Sequence, residues 1–230
     1  MKSDLKPLYI VGAGGFGREV IWLAETINEK KTEWDIKGFV DANVALWNKN
    51  IDNYLVHGDL DMLERMNTEV WCVVAVGNAK VRKGLVERLS RYQHIRFATL
   101  ISPDARIGLN STIGEGAMVC AGTVITVDVH IGKHNILNLD CTVGHDAVLE
   151  DFVTLYPSVN VSGCVNIGTA TEIGTGAQII QEISIGTGTI VGAGAVVIRN
   201  IEDEVTAVGN PAKVIKADPC ECFGGIRQKK

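Results

Sequence analysis

From Ile101 to Val197 the chain repeats one apolar position every six residues. Ile101, Ile107, Ile113, Val119, Ile125, Ile131, Leu137, Val143, Leu149, Leu155, Val161, Ile167, Ile173, Ile179, Ile185, Val191 and Val197 are all Ile, Leu or Val. These types fill roughly a quarter of ordinary sequence, so seventeen in succession is not chance. A helix has no use for this beat, because at 3.6 residues per turn a step of six rotates about 240° and scatters the apolar side chains around the axis. A strand does: six is even, so every marked side chain points the same way. Glycine often follows the aliphatic, as at Gly108, Gly114, Gly144, Gly168 and Gly186, and gives the freedom for corners between short flat faces. Three faces per coil make a triangular prism with aliphatic ladders inside, the hexapeptide β-helix. The register never slips between Ile101 and Val197, which predicts that no long loop projects from the prism.

The first hundred residues follow another rhythm. Leu8 to Val11 reads as a buried strand, Gly12-Ala13-Gly14-Gly15-Phe16-Gly17 as a turn, and the next stretch as a helix with Val20, Leu23, Ala24 and Ile27 on one face. Ile36 to Val40 predicts a second strand ending at Asp41, and Trp71 to Val76 a third, followed by Gly77-Asn78 and a helix with Val81, Leu85 and Leu89 inward. Strands alternating with helices predict a small parallel sheet, half-Rossmann-like. The expected organisation is an α/β N-terminal domain over 1–100, an all-β parallel β-helix over 101–216 and a tail over 217–230.

The glycines match G-x-G-x-x-G between a strand and a helix, with Asp41 a plausible ribose partner. A nicotinamide dinucleotide is one reading. About 100 residues hold only one mononucleotide-sized half of that fold, so a nucleotide diphosphate on the helix amino end is the simpler one.

Charge and cysteine usage narrow the partners. The formal net charge is −5, with 27 acidic against 22 basic residues, which leaves no basic field for nucleic acid. No run reaches the roughly 20 apolar residues of a membrane span, so no membrane insertion is expected. Cys72, Cys120, Cys141, Cys164, Cys220 and Cys222 show no zinc-like spacing and read as reduced thiols of a cytoplasmic protein. Cys220-Glu221-Cys222 reads as incidental, and no metal is expected.

Five histidines are candidates for chemistry: His57, His94, His130, His134 and His145. His145 stands two places after the inward Val143, near a corner, and Asp146 follows it directly. A carboxylate beside an imidazole orients it in acyl-transfer sites.

A mononucleotide-binding half, hexapeptide repeats, Gly144-His145-Asp146 and finally Val208-Gly209-Asn210-Pro211-Ala212-Lys213 together resemble the sugar O-acyltransferase family. That family includes sialic acid O-acetyltransferases and N-acetyltransferases of nucleotide-linked 4-amino-sugars. The resemblance runs roughly from Leu8 to Lys216. It implies left-handed winding of the prism, a homotrimer with sites between neighbouring prisms, His145 as general base and Asp146 as its support. It implies acetyl-CoA as co-substrate, with Gly163 giving an N–H to the thioester oxygen and Thr154, Thr175, Gly176, Ala193 and Lys213 along the donor groove. Thr154 departs from relatives that carry a polar ring there. The nucleotide is expected over Gly14, Gly15 and Phe16, with Asp41, Asn78 and Arg82 nearby and Asn138 facing the reacting carbon. Phe16 replaces a histidine found in some relatives, which suggests stacking.

The leading expectation is therefore direct attack of a sugar amine on acetyl-CoA, serving surface polysaccharide or glycoprotein synthesis. O-acetylation of sialic acid or another sugar is second. A non-catalytic, nucleotide-binding trimeric platform is the reading from another class, with a nicotinamide oxidoreductase behind it.

Overall fold

The computed structural model describes residues 5–216. The expected tail, with Cys220 and Cys222, lies outside the described residues. The N-terminal part runs β1 (Lys6–Val11), α1 (Gly15–Lys30), β2 (Trp34–Val40), a hairpin of β3 (Asn50–Ile51) and β4 (Tyr54–Leu55), α2 (Leu60–Glu64), β5 (Val70–Val74), α3 (Ala79–Leu89) and β6 (Ile95–Phe97). The main sheet is parallel with order β2-β1-β5-β6. The chain leaves β1 on one side and returns on the other, so the connections after β1 and β5 run apart at the carboxyl ends of these paired strands, where open α/β sheets bind ligands. Four strands make one mononucleotide-sized half, as the length allowed.

α1 buries Val20, Leu23 and Ala24 as its pattern predicts. The inward face of α3 follows expectation at Leu89 and departs from it at Val81 and Leu85. Val81 is exposed and Leu85 half-buried, while Ala79, Arg82, Val86 and Leu89 face inward. The helix is turned by what Arg82 bonds, described below.

From Leu100–Ile101 to Val196–Val197 a two-residue strand recurs every six residues, and no loop interrupts the series. The strands stack into three sheets, and partners lie one coil of eighteen residues apart: Ile136 with Thr154, Thr142 with Asn160, Val148 with Asn166. These sheets are the first, second and third faces of the prism. Val119, Leu137, Val143, Leu149, Leu155, Val161, Ile167, Ile173 and Ile179 form the buried ladders inside. Beyond Val197 the coil shortens. Ile185 pairs with Ile201 and Ile190 with Thr206, sixteen residues on, which is why the six-residue beat stops there.

The first face is not free. Its outward Leu100, Met118 and Ile136 share a core with Leu23 and Ala98, so the α/β part sits on that face. The α/β part leaves the second and third faces uncovered; on the edge between the first and second faces it packs over the early coils, where Cys120 and Asn138 are buried, and that edge opens farther along, at Thr175 and Ala193. Among the described residues no helix is long and apolar enough to cross a membrane.

Candidate active site

His145 lies on the edge between the second and third faces, at the corner joining Thr142–Val143 to Val148–Leu149. Val143 is buried in the prism, which turns the next residues out; the His145 and Asp146 side chains are 61% and 59% exposed. Asp146 has φ 58°, a left-handed conformation that Asp tolerates better than most residues. That turn brings its Oδ2 to 2.8 Å from His145 Nδ1. An ionised carboxylate only accepts, so the imidazole proton sits on Nδ1 and Nε2 presents a lone pair. His145 alone of the five histidines has a carboxylate partner among the described residues. His57 and His94 meet carbonyls, His130 meets the Thr112 hydroxyl, and His134 is buried between Phe97 and Phe152.

The next coil completes this corner. Cys164 N–H donates to the His145 carbonyl at 2.8 Å. A Cβ on Gly163 would stand 2.6 Å from both Cε1 and Nε2 of the ring, so only glycine leaves the imidazole its place. Among the described residues no carbonyl accepts from the Gly163 N–H.

The side where the sequence places a nucleotide is built at the carboxyl ends of β1, β2 and β5. A cleft of about 410 Å³ opens there, lined by Gly12, Asp41, Trp47, Val76 and Val81 among others. The three glycines of the motif divide by role. Gly12 has φ 105°, and a Cβ on Gly17 would lie 1.9 Å from the Gly12 carbonyl, so both serve the turn and the helix–strand approach. Gly14, which caps α1, and Gly15 would point a Cβ into open space; nothing in the protein needs them bare. Phe16 is half-buried against the adjacent core. Asp41 braces the loop, Oδ2 accepting from Ala13 N–H and Oδ1 from Asn43 N–H, both at 2.8 Å. Asn78 caps α3, with Oδ1 accepting from Val81 N–H at 2.9 Å.

Two expected contact residues are corrected. Arg82 is wholly buried, not at the cleft. Its Nε donates to the His134 carbonyl at 2.9 Å and Nη1 to those of Val76 and Gly77; Nη2 donates to Phe152 and Val153 carbonyls and to Thr154 Oγ1. Burial pulls its pKa down to about 10, with Glu172 opposing. Thr154, 1% exposed on the covered first face, gives its hydroxyl proton to the Gly77 carbonyl at 2.9 Å. Neither side chain is open to nucleotide or CoA; together they rivet the α/β part to the prism. Glu172, missed in the sequence, joins them, accepting from Ala79 N–H at 2.9 Å and from Tyr156 Oη at 3.1 Å.

The other candidates fall on a second edge. Asn138, Thr175, Gly176 and Ala193 sit at corners between the first and second faces, and exposed Lys213 lies in the final strand beside them. Asn138 Oδ1 accepts from Leu139 N–H at 2.7 Å. Gly176 has φ 70° and open space where a Cβ would be. The second face separates this edge from His145, so one chain does not bring the two groups together. Cys164 was also missed: His145, Asp146 and Cys164 each have a ligand atom within 4.8 Å of the others. Its signal was the coil length, since Cys164 stands eighteen residues after Asp146.

Residues 7–89 match the family of the PglD N-terminal domain. Over 216 residues the chain is 31% identical to GDP-perosamine N-acetyltransferase of Escherichia coli O157:H7, covering 91% of this chain and 96% of that one. The acetyltransferase domain of PglB from Neisseria gonorrhoeae FA1090, solved with acetyl coenzyme A, superposes with TM-score 0.82 at 31% identity, over 92% of this chain and 100% of that one. A perosamine N-acetyltransferase from Caulobacter crescentus, with one histidine replaced by asparagine and CoA and GDP-perosamine bound, gives 0.82 at 32% identity, over 91% and 96%.

Proposed function

Because this chain belongs to the nucleotide-sugar N-acetyltransferase family that joins a PglD N-terminal domain to a hexapeptide β-helix, we propose that it acetylates the amine of a nucleotide-linked amino-dideoxy-sugar from acetyl-CoA. The observation that carries this is the exposed imidazole of His145, held through Nδ1 by Asp146 and seated on a bare Gly163. A nicotinamide enzyme would need the second half of the dinucleotide sheet, whereas this sheet has four strands.

The amine nitrogen attacks the acetyl carbonyl carbon, and His145 Nε2 takes the proton the nitrogen must lose. The carbonyl oxygen becomes an oxyanion facing the Gly163 N–H, a contact worth about 3 kcal/mol in comparable sites. The thioester C–S bond then breaks, and the proton on Nε2 passes to the departing CoA sulfur. A positioned base contributes about 10²–10⁴-fold. Asp146 keeps the proton on Nδ1 and steadies the imidazolium. No covalent enzyme intermediate is required.

The nucleotide lies over Gly14, Gly15 and Phe16, with Asp41 shaping the loop and Asn78 offering its free amide N–H groups. Asn138, Thr175, Gly176, Ala193 and Lys213 act from the other edge. Two edges of one prism cannot meet across the second face, so the active unit takes more than one subunit; in the homotrimer that the family resemblance implies, one subunit's His145 edge lies against its neighbour's donor edge. A cytoplasmic enzyme of surface polysaccharide synthesis fits these substrates. The reading is tested by supplying acetyl-CoA with GDP- and UDP-linked 4-amino-sugars and following CoA release. Turnover with an amino-sugar but not with its 4-hydroxy counterpart supports it; turnover of neither, by folded protein that binds CoA, sinks it.

A further inference from the structure

We propose that His145, Asp146 and Cys164 form a site for a thiophilic divalent cation of the zinc class. The second half of the proposal rests on the catalytic reading above: occupancy of this site switches acetyl transfer off.

The three residues meet through the coil repeat. Asp146 and Cys164 hold the same corner position one coil apart, with φ 58° and 57°, so their side chains leave the edge in register. The hydrogen bond from Cys164 N–H to the His145 carbonyl fixes the two corners at 2.8 Å. One ligand atom from each residue lies within 4.8 Å of the other two. Ligands about 2.0–2.3 Å from a tetrahedral zinc are themselves about 3.3–3.8 Å apart, so closure needs roughly an ångström of movement. The His145 and Asp146 side chains, more than half exposed, are free to make it.

The donor set is chemically selective. Imidazole nitrogen, carboxylate oxygen and thiolate sulfur are the ligands of three-residue zinc sites, which keep a fourth position for water. Thiolate favours zinc, cadmium or cobalt over magnesium or calcium. Binding sends the Cys164 thiol proton to solvent, and the two negative groups then match the dication. Either ring nitrogen serves the same end. A metal on Nε2 removes the lone pair; one on Nδ1 takes the place of the hydrogen bond to Asp146 and leaves the proton on Nε2. In both cases the amine has no base.

The test uses Co²⁺, whose tetrahedral thiolate complexes absorb in the near ultraviolet and the visible. It is added, without CoA, to the full chain carrying Cys220→Ser and Cys222→Ser so that the terminal thiols contribute nothing. The proposal predicts one Co²⁺ per chain with a sulfur-to-metal charge-transfer band. Cys164→Ser, checked for native circular dichroism, should abolish the band and weaken binding by about tenfold or more; Cys164→Ala should do the same. Zn²⁺ should inhibit acetyl transfer in the parent, reversibly with chelator, at concentrations that leave the Cys164 variants active. A band absent from the parent, or surviving in both Cys164 variants, overturns the site. A Cys164-dependent band with zinc-insensitive turnover overturns the switch, whereas such a band in a protein lacking acetyltransferase activity would fault the catalytic reading alone.

Discussion

Arg82→Met tests what holds the two halves in one body. The native guanidinium donates to five carbonyls and one hydroxyl at 2.7–3.4 Å, drawn from residues 76–77, 134 and 152–154. Methionine keeps much of the volume and removes every donor. An unmet buried acceptor costs about 1–3 kcal/mol, and breaking one side of a buried charged arrangement costs about 3–5 kcal/mol; Glu172 would lose the cation that faces it. Water entering between the halves recovers part of this, so the expected loss is about 3–5 kcal/mol, expressed first as parting of the α/β sheet from the first face. Chemical unfolding followed by Trp fluorescence, which reports the α/β part through Trp34 and Trp71, should separate from far-ultraviolet circular dichroism, which reports the whole chain. Arg82→Lys, a point charge with three donors, should fall between. Coincident transitions and a loss below about 1 kcal/mol in Arg82→Met would refute the reasoning.

Gly163→Ala places a Cβ 2.6 Å from two ring atoms of His145. The ring must swing away, and a misplacement near 1 Å costs about 10²-fold, so kcat should fall by that order while circular dichroism stays native; unchanged kcat would reject the close approach. His134 is held neutral by burial and by Arg82, its pKa lowered to about 4. The unfolded chain therefore binds the proton first as pH falls. The stability this group contributes is complete above about pH 6.5 and is lost towards pH 4, by about 3 kcal/mol at most. Denaturant midpoints over that range should flatten in His134→Asn, a residue suited to the positive φ there; an unaltered slope would remove His134 as the cause.

The prism was legible because each coil repeats the same local decision: inward aliphatics such as Val143 and Leu149, and Gly144 for the corner. The turn motif was legible for the same reason, since Gly17 answers to the Gly12 carbonyl within a single strand–turn–helix and Gly12 to its own φ of 105°. Arg82 was not. Its partners stand 52 to 72 residues away at His134 and Thr154, and apolar periodicity in α3 favoured Val81, which proves exposed. Thr154 misled in the same way, because an outward position on a β-helix is free only if no second domain covers that face. β6 and the hairpin are too short to announce themselves. Cys164 was written in the sequence at one coil length from Asp146, but that two stacked corner side chains leave the edge together depends on the positive φ at each corner, which the spacing alone does not give.

The central claim is that His145 Nε2 accepts the proton of an attacking sugar amine. It is tested most directly by the pH dependence of kcat for acetyl transfer to a nucleotide-linked 4-amino-sugar, in the parent and in His145→Asn. The account predicts a drop of about 10²–10⁴-fold in kcat, little change in KM for acetyl-CoA, and disappearance of the limb on which the parent rate rises with a base losing its proton. A variant that retains that limb and turns over within a few-fold of the parent would contradict it.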